Sequence, residues 1–82
     1  MTLVIIDPIL CLMAEYVSNK VYALRKQKGT TQEQLAQSIG VTRQTIIAIE
    51  KGNYTPSVLL AIKIARFFDN KIDEVFQIKY EK

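Results

Sequence analysis

Eighty-two residues make one domain, whose core is small enough that good helix packing or self-association has to contribute to its stability. An apolar content of 49% argues against a disordered chain, and a net charge of +3 is too slight to imply a polyanionic partner by itself. Cys11 stands alone and histidine is absent, so there is no disulfide framework, no thiolate cluster and no usual general base; nothing points to a metal, a cofactor or an enzyme.

Residues 1–16 read as an apolar N-terminal extension. The segment lacks the positive start of a signal peptide and is too short and broken to span a membrane. Three readings stay open. Met13 is the natural start; or residues 3–6 form a strand and residues 8–13 a helical turn, with Asp7 as N-cap and Pro8 in the first helical position; or the segment is flexible. Its hydrophobicity favours an ordered, packed segment.

A first helix is expected from residue 18 or 19 to residue 28. Val17, Val21 and Leu24 recur at i, i+4 and i+7, and Gly29 stops the run. Residues 31–52 then hold two short helices. Thr31 caps the first, with Gln34 at the capping-box spacing, and Leu35, Ala36 and Ile39 share one face. Gly40 supplies the left-handed end. Thr42 caps the second helix, Ile46 and Ile49 turn inward, and Gly52 closes it. Two helices around a glycine turn make a helix-turn-helix, here over about residues 31–51.

Residues 53–57 form a loop by composition, and Ser57 caps a fourth helix over residues 58–68. Its core face is expected to be Val58, Ala61, Ala65 and Phe68, widened by Leu60 and Ile64. Leu59, Ile62 and Phe67 lie around the rest, and a helix apolar on most sides wants a second partner. Asn70 is expected to take the left-handed position after it. A short fifth helix, 72–76, should place Ile72, Val75 and Phe76 in the core. The sequence from Gln77 to Tyr80 alternates polar and apolar as a strand does, with residues 2–6 as the expected partner, within one chain or across a dimer. Charge is unevenly spread. Residues 20–51 carry six basic and two acidic side chains, a net +4, so the remainder is slightly negative. Such a positive face fits a phosphate-binding surface or a solvated helix face about equally.

The spacing of Gln32, Ala36, Gly40, Val41, Ile46, Ile49, Glu50 and Gly52 closely resembles the DNA-binding domain of lambda-type repressors and the Cro/C1 (XRE) family. Flanking matches run from about residue 18 to residue 76: Leu24, Arg25, Lys26 and Gly29 before, then Pro56, Ser57, Ile64, Ala65, Arg66, Asp73, Glu74, Val75 and Phe76 after. The resemblance implies an all-α fold, a five-helix lambda repressor-like domain over residues 17–77. An N-terminal extension (1–16) and a short tail (78–82), with possible short strands, flank it. It also implies that Arg25 pairs with Glu50, tying the first helix to the end of the third; a phosphate contact is the alternative role for Arg25. The family usually has Ser or Thr where Lys71 stands, so the fifth helix is expected to be weakly capped.

Base reading is expected from Arg43, which can fork onto guanine, and Gln44, which can pair with adenine. Thr45, Ile47 and Ala48 join them through a thymine methyl group or apolar contact. Without the surrounding motif, Gln44 and Thr45 would read as solvated surface. Phosphate contacts are expected from Gln32, Thr42, Lys28, Lys51, Asn53 and Tyr54, with solubility as the plain alternative for Lys28 and Lys51. The expectation is a cytoplasmic transcriptional regulator, a repressor, binding double-stranded DNA as a homodimer. No membrane, metal, cofactor or small-molecule ligand is expected. The rival is an antitoxin or protein-interaction module using the same helical domain.

Overall fold

The computed structural model describes residues 15–80. Strand β1 (Glu15–Asn19) is followed by helices α1 (Val21–Lys28), α2 (Gln32–Ile39), α3 (Arg43–Glu50), α4 (Val58–Phe67) and α5 (Ile72–Val75), and strand β2 (Phe76–Tyr80) ends the order. The five helices follow the sequence pattern. The expectations placed on residues 1–14 lie outside the described residues.

Helix boundaries follow local chemistry. The Thr31 hydroxyl accepts from Gln34 N–H at 3.0 Å while the Gln34 side-chain Oε1 accepts from Thr31 N–H at 2.9 Å, a complete capping box. Thr42 and Ser57 cap α3 and α4 by accepting from Thr45 N–H (3.3 Å) and Leu60 N–H (3.2 Å). At the turn between α2 and α3, Gly40 has φ +80°, and Gly40 N–H and Val41 N–H both reach the Ala36 carbonyl (2.9 and 3.0 Å). A Cβ at Gly40 would meet nothing within 4 Å, so the constraint is purely one of backbone. Gly40→Ala should therefore cost about 1–2 kcal/mol, the ordinary penalty of a left-handed L-residue. In a domain this size each kcal/mol lowers the thermal midpoint by about 4–8 °C, which a melting curve reads directly.

Four expectations about the periphery are corrected. The first helix begins at Val21, not 18 or 19. Val17 belongs to β1, which pairs antiparallel with β2 in the register Glu15↔Tyr80 to Asn19↔Phe76. The tail strand therefore exists and, among the described residues, pairs with Glu15–Asn19; the expected pairing with residues 2–6 lies outside the described residues. Lys20 N–H then donates to the Val75 carbonyl at 2.9 Å, and the Asn19 side chain receives Val21 N–H at 3.1 Å. Second, Val58 is 73% exposed; the inner face of α4 is Leu60, Ala61, Ile64 and Ala65, with Phe68 only half-buried. One step of register on the helix exchanges these faces, and an apolar stretch gives periodicity little to choose between. Third, Ile72 is 42% exposed, because a one-turn helix can direct only Val75 fully inward. Fourth, Asp69, not Asn70, takes the left-handed position (φ 57°). Glu74 accepts from Lys71 N–H at 2.7 Å, so α5 has the carboxylate half of a capping box although Lys71 brings no acceptor.

The core lies where α1, α2, α3 and α4 meet. Val21, Leu35, Ile46, Ile49, Ile64 and Val75 are fully buried in it, and Leu24, Val41, Phe67, Phe68 and Phe76 pack around them. This core grips α3 by one face only, Ile46 and Ile49, which leaves its first turn outside.

Candidate nucleic-acid interface

Helix α3 opens with three side chains of different freedom. Arg43 and Gln44 are exposed. Thr45 is half-buried, and its hydroxyl lies 3.1 Å from that of Thr42. Ile47 and Ala48 are half-buried along the same helix, which limits their reach to apolar contact. At the far end Gly52 (φ 79°) and the bonds Gly52 N–H to Ile49 (3.0 Å) and Asn53 N–H to Ala48 (2.9 Å) turn the chain out. Lys51, Asn53 and Tyr54 stand exposed there.

Behind that turn runs a connected polar network. Arg25 donates from Nε to Glu50 Oε2 at 2.7 Å and from Nη2 to Oε1 at 3.2 Å, the paired geometry suited to a guanidinium and a carboxylate. Its remaining terminal nitrogen donates to the Thr30 carbonyl at 3.0 Å. Both side chains are buried, 9% and 6% exposed. The hydrogen bond to Glu50, aided by the carboxylate's charge and opposed by burial, holds the Arg25 guanidinium above its ordinary pKa. Gln32 extends the network: Nε2 donates to Glu50 Oε1 at 3.1 Å, and Oε1 accepts from Arg43 Nε at 3.3 Å. Glu50 is thereby paired with a guanidinium and hydrogen-bonded at both oxygens, so its charge is compensated within the domain.

An open hollow follows the start of α2, walled by Lys26, Thr30, Thr31, Gln32, Glu33 and Arg43 with Arg25 at its floor. Free amides at a helix N-terminus and two exposed cations suit an anion, opposed by the exposed Glu33 carboxylate. Lys26 was not expected there. The sequence alone points to Lys28, but the structure sets the Lys28 ammonium 5.2 Å from the Phe67 ring centroid, on the side of α4. Lys26 and Lys28 differ by half a helical turn, and only the position of α4 decides which faces the hollow. A second hollow joins Lys51 and Gly52 to Tyr16, Ser18 and Asn19 of β1. Asn19 Nδ2 donates to the Ile49 carbonyl at 2.9 Å, fixing the strand beside the end of α3. Tyr54 sits instead near Val41, Leu59 and Lys63, at the mouth of a groove between the turn and α4.

Among the described residues no three His, Cys, Asp or Glu side chains could hold a metal ion, and no helix is long and apolar enough to cross a membrane.

The arrangement of α2, a glycine turn and a half-gripped α3 agrees with the comparisons. A family model described as "Helix-turn-helix" matches residues 21–75. The chain belongs to the Cro/C1-type helix-turn-helix family. Within that family it is 51% identical over 65 residues to the uncharacterized HTH-type transcriptional regulator YgzD of Bacillus subtilis, covering 79% of this chain and 98% of YgzD. It is 55% identical over 60 residues to the uncharacterized HTH-type transcriptional regulator MJ0272 of Methanocaldococcus jannaschii, covering 73% of this chain and 91% of that one. The CTXphi transcriptional repressor RstR of Vibrio cholerae is 36% identical over 58 residues, 71% of this chain but 52% of RstR. Among solved structures, the restriction-modification controller protein C.AhdI of Aeromonas hydrophila superposes with a TM-score of 0.63 at 31% identity, covering 67% of this chain and 83% of that one. The transcriptional regulator VanUg shares the fold at TM-score 0.67 and 19% identity, over 82% of this chain and 89% of VanUg. The chain is thus a DNA-binding transcription regulator of this family.

Proposed function

We propose that the protein is a homodimeric repressor that lays α3 in the major groove of double-stranded DNA. The observation that carries this reading is the exposed Arg43–Gln44 pair on a helix whose opposite face, Ile46 and Ile49, is fully buried. Arg43 and Gln44 read base edges; Thr45, Ile47 and Ala48 add contacts to thymine methyl groups or close the interface. Gln32, Thr42, Lys51 and Asn53 fix the register on the backbone, and Lys26 joins them from the hollow before α2. Arg25 and Glu50 serve the scaffold. Repression is favoured by the likeness to RstR, a named repressor, and acting on DNA implies a cytoplasmic location.

The dimer is supported by α4. Val58, Leu59 and Ile62 stand 73%, 65% and 40% exposed at i, i+1 and i+4, next to Tyr54 at 45%. A contiguous apolar face of this kind on so small a domain suits a second copy. Two copies would offer two α3 helices to half-sites about one helical turn, near 34 Å, apart. The same face also favours a second reading, an interaction module that binds another protein through α4.

Gel shifts over a salt series decide between them. Arg43→Ala should relax preference at one base position by about 5- to 150-fold, leaving other positions intact. Lys51→Ala should weaken all sequences alike and reduce the salt slope by about 1. A salt-insensitive shift, unchanged by Arg43→Ala, would reject the DNA-reading role in favour of the interaction module.

A further inference from the structure

Both strands lie outside residues 21–75, the span that the helix-turn-helix model matches, so the sheet is an addition to the domain. Its register sorts the side chains by chemistry. Residues directly opposite in an antiparallel pair share a face, and successive residues alternate between faces. One face therefore carries Val17, Phe76 and Ile78 with Glu15, Asn19 and Tyr80, and Phe76 joins it to the core. The other carries Tyr16 opposite Lys79 and Ser18 opposite Gln77. These are two hydroxyls, an ammonium and an amide, all able to donate a hydrogen bond, with no carboxylate among them. Tyr16 and Lys79 are exposed, so their donors face water.

This donor face starts where α3 ends. Tyr16 and Ser18 share a hollow with Lys51 and Gly52, and the bond from Asn19 to the Ile49 carbonyl pins β1 there. Glu50 also borders the hollow, but its carboxylate is held by Arg25 and Gln32 and its charge is matched within the domain. Glu15, the acidic side chain of the sheet, belongs to the opposite face. Lys51, the two hydroxyls of β1 and Lys79 of β2 thus follow one another outward from α3. Neighbouring strands lie about 4.8 Å apart, so β2 carries the donors one step further than β1.

We propose that this face of the β1–β2 sheet is a further element binding the phosphate backbone of DNA, with Lys79 as its charge and Tyr16 and Ser18 as neutral donors. This role rests on the major-groove placement of α3 given under Proposed function. With α3 in the groove, Lys51 at its end meets the backbone at the groove's edge, and the sheet pinned beside that end meets the phosphates next along. The contact adds affinity and fixes orientation but carries no sequence information. The surface offered to DNA is wider than the five helices alone supply.

The test uses the purified full chain and a duplex selected by it from a random pool. A matching set of duplexes has one phosphate at a time replaced by an uncharged methylphosphonate. The proteins are the wild type, Lys79→Gln, Tyr16→Phe and Lys51→Ala. Neutralising a phosphate held by Lys79 should cost the wild type about two- to fivefold in affinity. Lys79→Gln should lose about as much on the unmodified duplex, equally for every base variant, with the salt slope reduced by about 1. It should then be indifferent to neutralisation at one or two positions where the wild type is sensitive, and these should differ from the positions silenced by Lys51→Ala. Unchanged sensitivity at all other phosphates reports that the fold is kept. Tyr16→Phe keeps the ring and should blunt the response at the same positions or those beside them. If Lys79→Gln loses no affinity, or loses affinity yet keeps the wild-type response at every phosphate, the sheet does not bind DNA and the proposal is overturned. Failure of the α3 reading looks different: Lys51→Ala would then also silence no phosphate, and Arg43→Ala would leave base preference unchanged.

Discussion

Glu50→Ala should destabilise the fold by about 3–5 kcal/mol, the usual effect of removing one partner from a buried ion pair. The loss comes less from the missing attraction than from what is left behind. Arg25 would keep its charge in a site where it is only 9% exposed, with the Thr30 carbonyl its remaining hydrogen-bonded partner in the network. The Tyr22 ring, 5.3 Å from the guanidinium carbon, softens this only slightly. A domain of this size has roughly 4–12 kcal/mol in total, so the variant should be close to unfolding at room temperature. Replacing both residues, Arg25→Met with Glu50→Leu, should recover most of the loss, because no buried charge then remains. Urea unfolding of the two singles and the double gives the coupling directly. Single variants each within 1 kcal/mol of wild type, adding without coupling, would show that the pair contributes nothing. The pH dependence is also fixed in sign. Pairing raises the Arg25 pKa, so the guanidinium's contribution is present below arginine's ordinary range and is lost in strong alkali. High salt should change the loss little, since a buried pair is poorly screened.

Why the helix-turn-helix is plain in the sequence and the sheet is not follows from the range of the interactions. Thr31, Gln34, Thr42, Ser57, Gly40 and Gly52 satisfy backbone groups within five residues of themselves, and each stands where its own helix needs it. Strand β1 meets β2 across about sixty residues of sequence, and five residues such as Glu15–Asn19 carry no local mark of the partner they will take. Val17, Val21 and Leu24 even mimic a helical stripe, although Val17 belongs to the strand. Which apolar side chains of α4 turn inward is likewise a property of α2 and α5, which flank it, and so Val58 reads as core when it is not. In the interface the same division holds. The exposed turn of Arg43 and Gln44 is legible because capping and burial of α3 place it. The chain of contacts through Gln32 is not, since Arg25, Gln32, Arg43 and Glu50 converge only when three helices are packed. The Arg25–Glu50 pair is legible through family likeness, not through anything in the spacing of the two residues.

Ile46→Ala should cost about 2–5 kcal/mol, and it should do so directly beneath the exposed Arg43–Gln44 turn. Ile46 is fully buried, one turn below Arg43 and Gln44, and with Ile49 it anchors α3 to Leu35 and Ala36 of α2. Truncation leaves a cavity under the exposed turn, and the surrounding side chains can close it only by letting α3 shift. Ile46→Val removes a single methylene and should cost about 0.5–1.5 kcal/mol with DNA binding kept. The two losses can be told apart from a contact defect by linkage. A ligand that binds only the folded state adds about 2.7 kcal/mol at a hundredfold excess over its dissociation constant. Saturating operator DNA should therefore raise the unfolding midpoint of Ile46→Ala substantially, whereas Arg43→Ala, intact in its core, should melt like the wild type without DNA and gain less with it. If Ile46→Ala melts normally and yet fails to bind, the helix is anchored elsewhere, and the packing of α3 on α2 does not set the geometry of the reading turn.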